Sequence, residues 1–219
     1  MVWQLPDNQG SYARAIDEDS GAEVWVYLDK DNGVYGLSPH YHGKTKLRGK
    51  VIEKIPSKEY ELEGLVVCQT ARGDAKGTID TIIFNSPNIL LNETEAEQEY
   101  IFQLAAFPHF VECFASAEEF AQSHGGAPKP APKSFMTAGI VEEKQPTEST
   151  AMIAGIVKKI DNKINGFTKQ PFTVILIESS FGEVEIVASK KRLDKNPKPG
   201  EILSGAFWLS GKIHQPIAE

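Results

Sequence analysis

The sequence predicts a mainly β protein with two small barrel-like domains, and three observations lead to this fold class. Short apolar stretches rich in Val, Ile and Phe recur along the chain, as β-strands require. Segment 125–133, Gly-Gly-Ala-Pro-Lys-Pro-Ala-Pro-Lys, favours an extended spacer over a packed core. Met-Thr-Ala-Gly-Ile-Val at 136–141 is echoed by Met-Ile-Ala-Gly-Ile-Val at 152–157, each with a glycine suited to a strongly bent strand.

The linker gives the domain boundaries: an acidic mainly β domain over 1–124, a spacer over 125–133 and a second domain over 134–219. In the first domain, Asp31-Asn32-Gly33 is a turn signal between two strands, so a hairpin is expected there. Pro108 is expected to interrupt the strand that contains it. The strands predicted in this domain cover residues 23–28, 34–37, 47–55, 60–69, 78–84, 99–107 and 110–115.

A short helix is expected to close the first domain. Ser116 is a good N-cap residue, and Glu118 and Glu119 are favourable in the first turn of a helix that runs to Ser123.

The second domain is expected to form an OB-like five-stranded barrel. A polar loop, 161–170, follows its second strand, and a longer basic connection, 189–200, precedes its last one. Five short strands with a long connection before the fifth are typical of an OB-fold. An SH3-like barrel or an irregular sandwich would accommodate that connection less well. The predicted strands cover 135–142, 151–160, 172–178, 183–188 and 202–213.

Three pairs of segments suggest that the second half duplicates the first, so the first domain is also a candidate for an OB-like fold. Residues 49–55 resemble 155–160, residues 77–83 resemble 182–187, and residues 104–107 resemble 204–207. The order is the same in both halves. Chance similarity between strands built from few residue types is the alternative explanation.

The segment from Phe135 to Ile213 resembles the C-terminal part of uncharacterised bacterial proteins with an OB-like barrel. Its most specific element is the Gly-x-Phe-Trp-Leu-x-Gly arrangement from Gly205 to Gly211. The resemblance covers about the last 80 of the 219 residues and implies an architecture without an activity.

Composition places the chain among ordinary globular proteins, with 41% hydrophobic and 24% charged residues. It shows no membrane-spanning apolar run and no secretory signal, and we expect a cytoplasmic protein without a membrane partner. Cys68 and Cys113 lie in apolar segments, which favours two buried free thiols over a disulfide. Residues 1–132 hold 11 basic and 20 acidic residues, a net of −9, whereas 133–219 hold 12 and 10, a net of +2. The second half is therefore the better candidate for anionic ligands.

No motif predicts catalysis, a metal or a cofactor. His40 and His42 alternate on one strand, but no further metal-ligand motif accompanies them. Ser180 lacks the Gly-x-Ser-x-Gly setting of an esterase nucleophile, and no phosphate-binding glycine motif occurs. We therefore expect no catalytic or metal-binding residues and no cofactor.

One candidate ligand surface emerges from the second domain. Its basic connection and the loop before Phe172 supply lysines for phosphates and an aromatic ring for stacking. Phe207 and Trp208 are neighbours, so one of them must point outward on a regular strand. A solvated basic loop is the simpler explanation of the charges. The candidate residues are Lys163, Phe167, Lys169, Lys190, Lys191, Arg192, Lys195, Lys198 and Trp208.

These observations favour a non-enzymatic binding or protein-interaction module, with a protein partner or self-association. Single-stranded nucleic-acid binding through the second domain is one alternative. An enzyme with a site assembled between the domains is the other, because distant residues escape motif analysis.

Overall fold

The computed structural model describes residues 1–4, 10–56, 63–71, 79–87, 90, 94–123, 131–138 and 148–216. It confirms a mainly β protein with thirteen strands and one short α-helix in these residues. The strands are β1 Val2–Gln4, β2 Ser11–Ile16, β3 Ala22–Leu28, β4 Val34–Tyr41, β5 Leu47–Pro56, β6 Glu63–Ala71, β7 Ile79–Pro87, β8 Glu99–Phe114, β9 Ser134–Thr137, β10 Thr150–Ile164, β11 Pro171–Ser179, β12 Gly182–Ser189 and β13 Ile202–Pro216.

The strands form two sheets. Sheet A is the four-stranded antiparallel sheet β1-β2-β3-β4, and sheet B contains the other nine strands. The first two strands, β1 and β2, are additions to the sequence prediction. No helix in the described ranges is long and apolar enough to cross a membrane.

Sheet B contains two closed rings of paired strands that share β8 and β13. In the first ring, β5, β6 and β7 form an antiparallel meander, β7 pairs parallel with β13, and β8 closes the ring between β13 and β5. In the second ring, β10, β11 and β12 form the meander, β12 pairs parallel with β8, and β13 closes the ring between β8 and β10. Each ring therefore takes one strand from the other half of the chain.

The second ring differs from the five strands predicted for the second domain. Its fifth strand is β8, which precedes the 125–133 spacer. Strand β9, which was predicted as a barrel strand, pairs with β10 beside the ring. The division of the chain into two domains at that spacer stays a prediction. Strand β8, which precedes the spacer, and strand β13, which follows it, pair along most of their lengths.

The two rings have corresponding irregularities. A register shift in β5 falls between Val51 and Glu53, and one in β10 falls between Val157 and Lys159. These positions correspond when Gly49 is aligned with Gly155, as the sequence comparison does. A bulge at the same place bends both strands, which is how a short meander closes into a ring.

Two predicted boundaries were wrong. Strand β8 continues through Pro108, because the register shift beside it, between the partners Phe207 and Ala206, absorbs the irregularity in the ladder. The loop expected over 161–170 is shorter, since β10 extends to Ile164 and β11 begins at Pro171, paired with it.

The helix α1, Ala117–Ser123, is where the sequence places it. The Ser116 hydroxyl accepts a hydrogen bond from the Glu119 amide at 3.2 Å, and the Glu119 carboxylate accepts one from the Ala115 amide at 2.6 Å. These two bonds satisfy backbone donors at the helix start, in the manner of a capping box. Phe120 anchors the helix by packing on Phe114 and its neighbours.

Both rings share one apolar core. It includes Phe84 stacked on Phe102 at 5.4 Å and Phe135 against Phe181 at 4.1 Å. The glycines of β13 permit close approach: a Cβ on Gly205 would lie 2.2 Å from the carbonyl oxygen of Phe110, and one on Gly211 would lie 2.5 Å from the Phe84 ring. Cys68 and Cys113 are buried and free, as expected.

Candidate functional site

Three regions of the described structure bear on function: the junction between the two sheets, the tip of the β10–β11 hairpin, and the outer face of sheet A. The junction is the contact of the inner face of sheet A with β13 and its neighbours in sheet B. The junction buries charged groups and histidines, and such groups are typical of functional sites, so the junction is a candidate site.

Glu23 is the centre of the junction. Its carboxylate accepts hydrogen bonds from Arg14 Nε at 2.9 Å and Trp25 Nε1 at 2.7 Å, and it pairs with the Lys212 ammonium of β13. Burial raises the pKa of Glu23, but the hydrogen bond from Arg14 and the charge of Lys212 outweigh burial and lower that pKa to about 2. Glu23 is therefore ionised at neutral pH and holds the two sheets together.

Two histidines beside this pair are held in the neutral form. Lys212 Nζ lies 3.2 Å from His42 Nδ1. Burial and the positive charge of Lys212 lower the pKa of His42, and the same two causes lower the pKa of His214. Both rings therefore carry no charge at neutral pH.

His40 forms a serine–histidine–carboxylate set that a motif search would miss. Its Nδ1 contacts Ser210 Oγ, and its Nε2 lies 3.2 Å from Glu63 Oε1 and 3.1 Å from Ser38 Oγ. A nucleophilic serine must be reachable by its substrate. Ser210 is only 2% exposed and His40 is only 4% exposed, so this set is a structural hydrogen-bond network that joins β4 to β13.

A cavity of about 430 Å³ lies beside the junction, where sheet A meets β10 and β11. Its walls carry both lysines and carboxylates, and the Glu185 carboxylate already accepts hydrogen bonds from the amides of Lys44 at 2.9 Å and Thr45 at 3.3 Å. Within the described residues, no cluster of three or more His, Cys, Asp or Glu side chains is arranged to hold a metal ion.

The tip of the β10–β11 hairpin, residues 165–170, presents an exposed aromatic ring on a well-bonded loop. Asn165 Oδ1 accepts hydrogen bonds from the amides of Phe167 at 2.9 Å and Thr168 at 3.0 Å. The Gly166 amide donates to Asp17, the residue after β2, at 2.7 Å. Phe167 is 49% exposed, and the neighbouring Ile164 is 65% exposed.

Part of the predicted ligand surface comes together at this tip. In the register, Lys163 lies beside Phe172 and Phe172 beside Ser189, so the turn Lys190–Arg192 follows at the same end of the sheet as Phe167 and Lys169. Lys190 and Lys191 are exposed, and Arg192 donates to the His109 carbonyl at 2.9 Å.

Other predicted residues lie elsewhere. Lys163 Nζ donates to the Ser20 carbonyl at 2.8 Å and to the Tyr41 hydroxyl at 3.2 Å, so it belongs to the junction. Lys195 and Lys198 follow along the connection, which returns to Val157, seven residues or about 20 Å along β10 from Ile164. Trp208 is half-buried, 5.3 Å from the Phe107 ring and 6.3 Å from His40, while Phe207 is fully buried.

The outer face of sheet A is mostly apolar, and most of its described residues are partly or largely exposed. Strand pairing aligns Val2, Ala13, Val26 and Leu37 in one row across the four strands. Val2 is 59% and Leu37 is 63% exposed. We define this face by the residues that the strand register places on it: Val2, Gln4, Ser11, Ala13, Ala15, Val24, Val26, Leu28, Val34, Leu37 and Pro39. Gln4 and Ser11 are its polar members, and Ser11 is buried.

Sequence reasoning missed this face, although β3 carries a signal for it. Val24, Val26 and Leu28 alternate there with Glu23, Trp25 and Tyr27, so Glu23 is the single charged residue among the six and both faces are otherwise apolar. A strand that is apolar on both faces is expected to be covered on both. In this structure only the face with Trp25 and Tyr27 is buried.

The comparisons with known proteins add no identification. No family model matches the sequence, and a search of curated proteins finds no match.

Proposed function

We propose that this chain is a non-enzymatic protein-interaction module that binds through the outer face of sheet A. One observation supports the proposal: most of the described residues that form this face are apolar and remain partly or largely exposed. A sheet of four strands about 4.8 Å apart is about 19 Å wide. Contiguous exposed apolar patches on monomers are often functional.

We further propose that each ring of sheet B is an OB-like barrel with one exchanged strand. The meander, the parallel third pair and the antiparallel closing strand support this interpretation, as does the bulge in the first strand of each meander. In this interpretation the barrels are the scaffold, and sheet A is the element that they present to a partner.

Affinity capture with matched variants tests the interaction role. Leu37→Lys places a charge on the edge strand of the face, at a position that is already 63% exposed, and Met136→Lys introduces a lysine on sheet B at a position 55% exposed. Wild type and Met136→Lys should retain a protein from an extract of the source cells that Leu37→Lys does not retain. That protein, identified by mass spectrometry and purified, should bind with the same preference in calorimetry. If no protein distinguishes the two variants, the proposal is wrong.

Single-stranded nucleic-acid binding is a second candidate, and the hairpin tip favours it. Exposed Phe167 suits base stacking, and Lys169, Lys190 and Lys191 lie at the same end of the sheet. The full chain is the right test protein, because the second ring needs β8 to close.

Binding of a fluorescent oligonucleotide is measured as the salt concentration is raised. Lys190→Ala/Lys191→Ala should reduce the salt slope by up to about 1.4, because each phosphate contact on a single strand releases about 0.7 of a condensed counterion. Phe167→Ala should weaken binding at every salt concentration. If the full chain shows no salt-sensitive binding at low ionic strength, this candidate is eliminated.

A further inference from the structure

We propose that the junction is a pH-sensitive switch: mild acid releases sheet A from sheet B as a unit, while the two rings of sheet B stay closed. This inference does not depend on the interaction role, because it concerns the inner face of sheet A. Three features support it: the way in which sheet A is connected, the contacts that hold it in place, and the charges around His42 and His214.

Sheet A is a contiguous unit with one connection to sheet B. All four of its strands come from residues 2–41, and the chain leaves it through residues 42–46 to enter β5. Its inner face has an aromatic cluster of its own, formed by Tyr12, Trp25 and Tyr27, apart from the core that the rings share. A unit with its own core can open without unfolding the rest of the protein.

Polar contacts hold much of the junction closed. Besides the Glu23–Lys212 pair, they include the hydrogen bond between His40 and Ser210, while Tyr41 adds apolar packing against sheet B. A contact between ionisable groups changes in strength when one of them gains a proton, whereas apolar packing does not. The charged part of the junction is therefore the part that acid can weaken.

A proton on His42 would place a second positive charge against Lys212. His42 Nδ1 lies 3.2 Å from Lys212 Nζ and 3.9 Å from Glu23 Oε2. The Glu23 carboxylate is already shared among Lys212, Arg14 and the Trp25 ring nitrogen. A protonated imidazole also can no longer accept a hydrogen bond at Nδ1. Two like charges at this distance, beside a buried carboxylate that is already paired, repel each other strongly.

The surroundings of His42 and His214 favour the neutral form of both rings. Burial and the neighbouring cations lower the pKa of each ring, so both take up protons more readily once the junction is open. Their contribution to closure is therefore complete above the ordinary pKa of 6.5 and is lost as the pH falls below it. Three cations and two carboxylates face these rings from β2, β3, β13 and the connections beside them: Arg14, Lys46, Lys212, Glu18 and Glu23.

His40 is the third histidine at the junction, and its surroundings differ. Its Nε2 lies 3.2 Å from Glu63 Oε1, so a proton on this ring meets a carboxylate. Acid therefore strengthens this contact, whereas it weakens the contact between His42 and Lys212. We assign the response to His42 and His214 for this reason.

Hydrogen exchange read by mass spectrometry tests the switch on the purified full chain. Labelling at about pH 7.5 and about pH 5.5 covers both sides of the ordinary histidine pKa, with labelling times scaled for the intrinsic effect of pH on exchange. Uptake in β2, β3 and β4 should rise severalfold at the lower pH, while β8 and β13 keep their protection. A joint rise in both sets of strands would mean global unfolding and would overturn the proposal. No rise in either set would also overturn it.

Tryptophan fluorescence gives a second readout, because all three tryptophans lie at the junction or beside it. Trp25 donates to Glu23 at 2.7 Å, Trp3 stacks on Trp25 at 5.0 Å, and Trp208 lies 6.3 Å from His40. The emission should shift to longer wavelength in acid, while the far-ultraviolet circular dichroism changes little. An emission that stays the same at both pH values would contradict release of the sheet.

Matched histidine variants assign the response. His42→Gln/His214→Gln cannot gain these protons, and the amide oxygen at position 42 can still accept from Lys212, so this double variant should show the neutral-pH exchange pattern at both pH values. Each single variant should lose part of the response. His109→Gln, at an exposed position of β8, is the control and should respond like wild type. A double variant that still releases sheet A in acid would overturn the proposal.

Discussion

Glu23 of β3 and Lys212 of β13 form a buried ion pair that joins sheet A to sheet B, although 189 residues separate them in the chain. Glu23 is 4% exposed and Lys212 is 4% exposed. Each charge is therefore removed from water and depends on its partner, together with Arg14 and His42, for compensation.

Glu23→Gln should lower the free energy of unfolding by about 3 kcal/mol, because it leaves the Lys212 ammonium buried without its carboxylate. Urea unfolding measures the change. Adding Lys212→Met to this variant should restore part of the loss, since the unpaired charge is then removed as well. Lys158→Met, at an exposed ion pair with Glu178, is the control and should cost less than about 1 kcal/mol. Equal losses in Glu23→Gln and Lys158→Met would contradict the role assigned to the pair.

Acid should destabilise the protein in two steps. The folded pKa values of His42 and His214 lie below 6.5, so the unfolded chain binds protons first at these rings and stability falls as the pH drops below about 6.5. Glu23 has a folded pKa of about 2 against an ordinary 4.5. Its contribution is therefore complete above pH 4.5 and is lost as the pH falls toward about 2, by up to about 3 kcal/mol.

Urea unfolding at about pH 7, 5.5 and 3 measures both steps. Glu23→Gln should keep the first step and lack most of the second, because its side chain does not titrate. A wild type with equal stability at all three pH values would show that these groups are not held as described.

Gly205→Ala should destabilise the protein by more than about 2 kcal/mol. The added Cβ would lie 2.2 Å from the Phe110 carbonyl oxygen, a backbone atom that is fixed in the ladder between β8 and β13. Thermal unfolding measures the effect. Ser204→Ala, at the neighbouring half-buried position, only shortens a side chain and should change the stability by less than about 0.5 kcal/mol. If Gly205→Ala were as stable as Ser204→Ala, the close approach of the two strands would be wrong.

Ser116→Ala should cost about 1 kcal/mol, because it removes the hydroxyl that accepts the Glu119 amide at the start of α1. The loss is measured by urea unfolding. Gln122→Ala, at an exposed position of the same helix, is the matched control and should have almost no effect. A similar stability for both variants would mean that the cap does not contribute.

Much of the local structure could be predicted from the sequence. Ser116 and the two glutamates after it were enough to place α1, because a cap is a contact between near neighbours. The alternation of Phe207 and Trp208 gave one buried ring and one half-buried ring. The start of the first Met-x-Ala-Gly-Ile-Val segment pairs with the start of the second, with Met136 opposite Met152, while residues 139–141 of the first segment lie outside the described residues.

The exchange of strands could not be predicted in this way. A strand such as β8 has the same alternation whichever half supplies its partners, and the bonds that decide the partner are backbone bonds without side-chain identity. The junction between the two sheets could not be predicted from the sequence for a related reason. Glu23, His40 and Lys212 are ordinary strand residues until the fold brings distant parts of the chain together.

The sharing of β8 and β13 has a consequence for synthesis on the ribosome. Strand β8 ends at Phe114, but its partner β13 begins only at Ile202, so the first ring remains open while the chain between them is made. At about 5 to 20 residues per second, that interval lasts about 4 to 18 s. During this time the nascent chain exposes an apolar strand edge, which makes it a candidate for chaperone binding, and neither ring closes until the last strand has emerged.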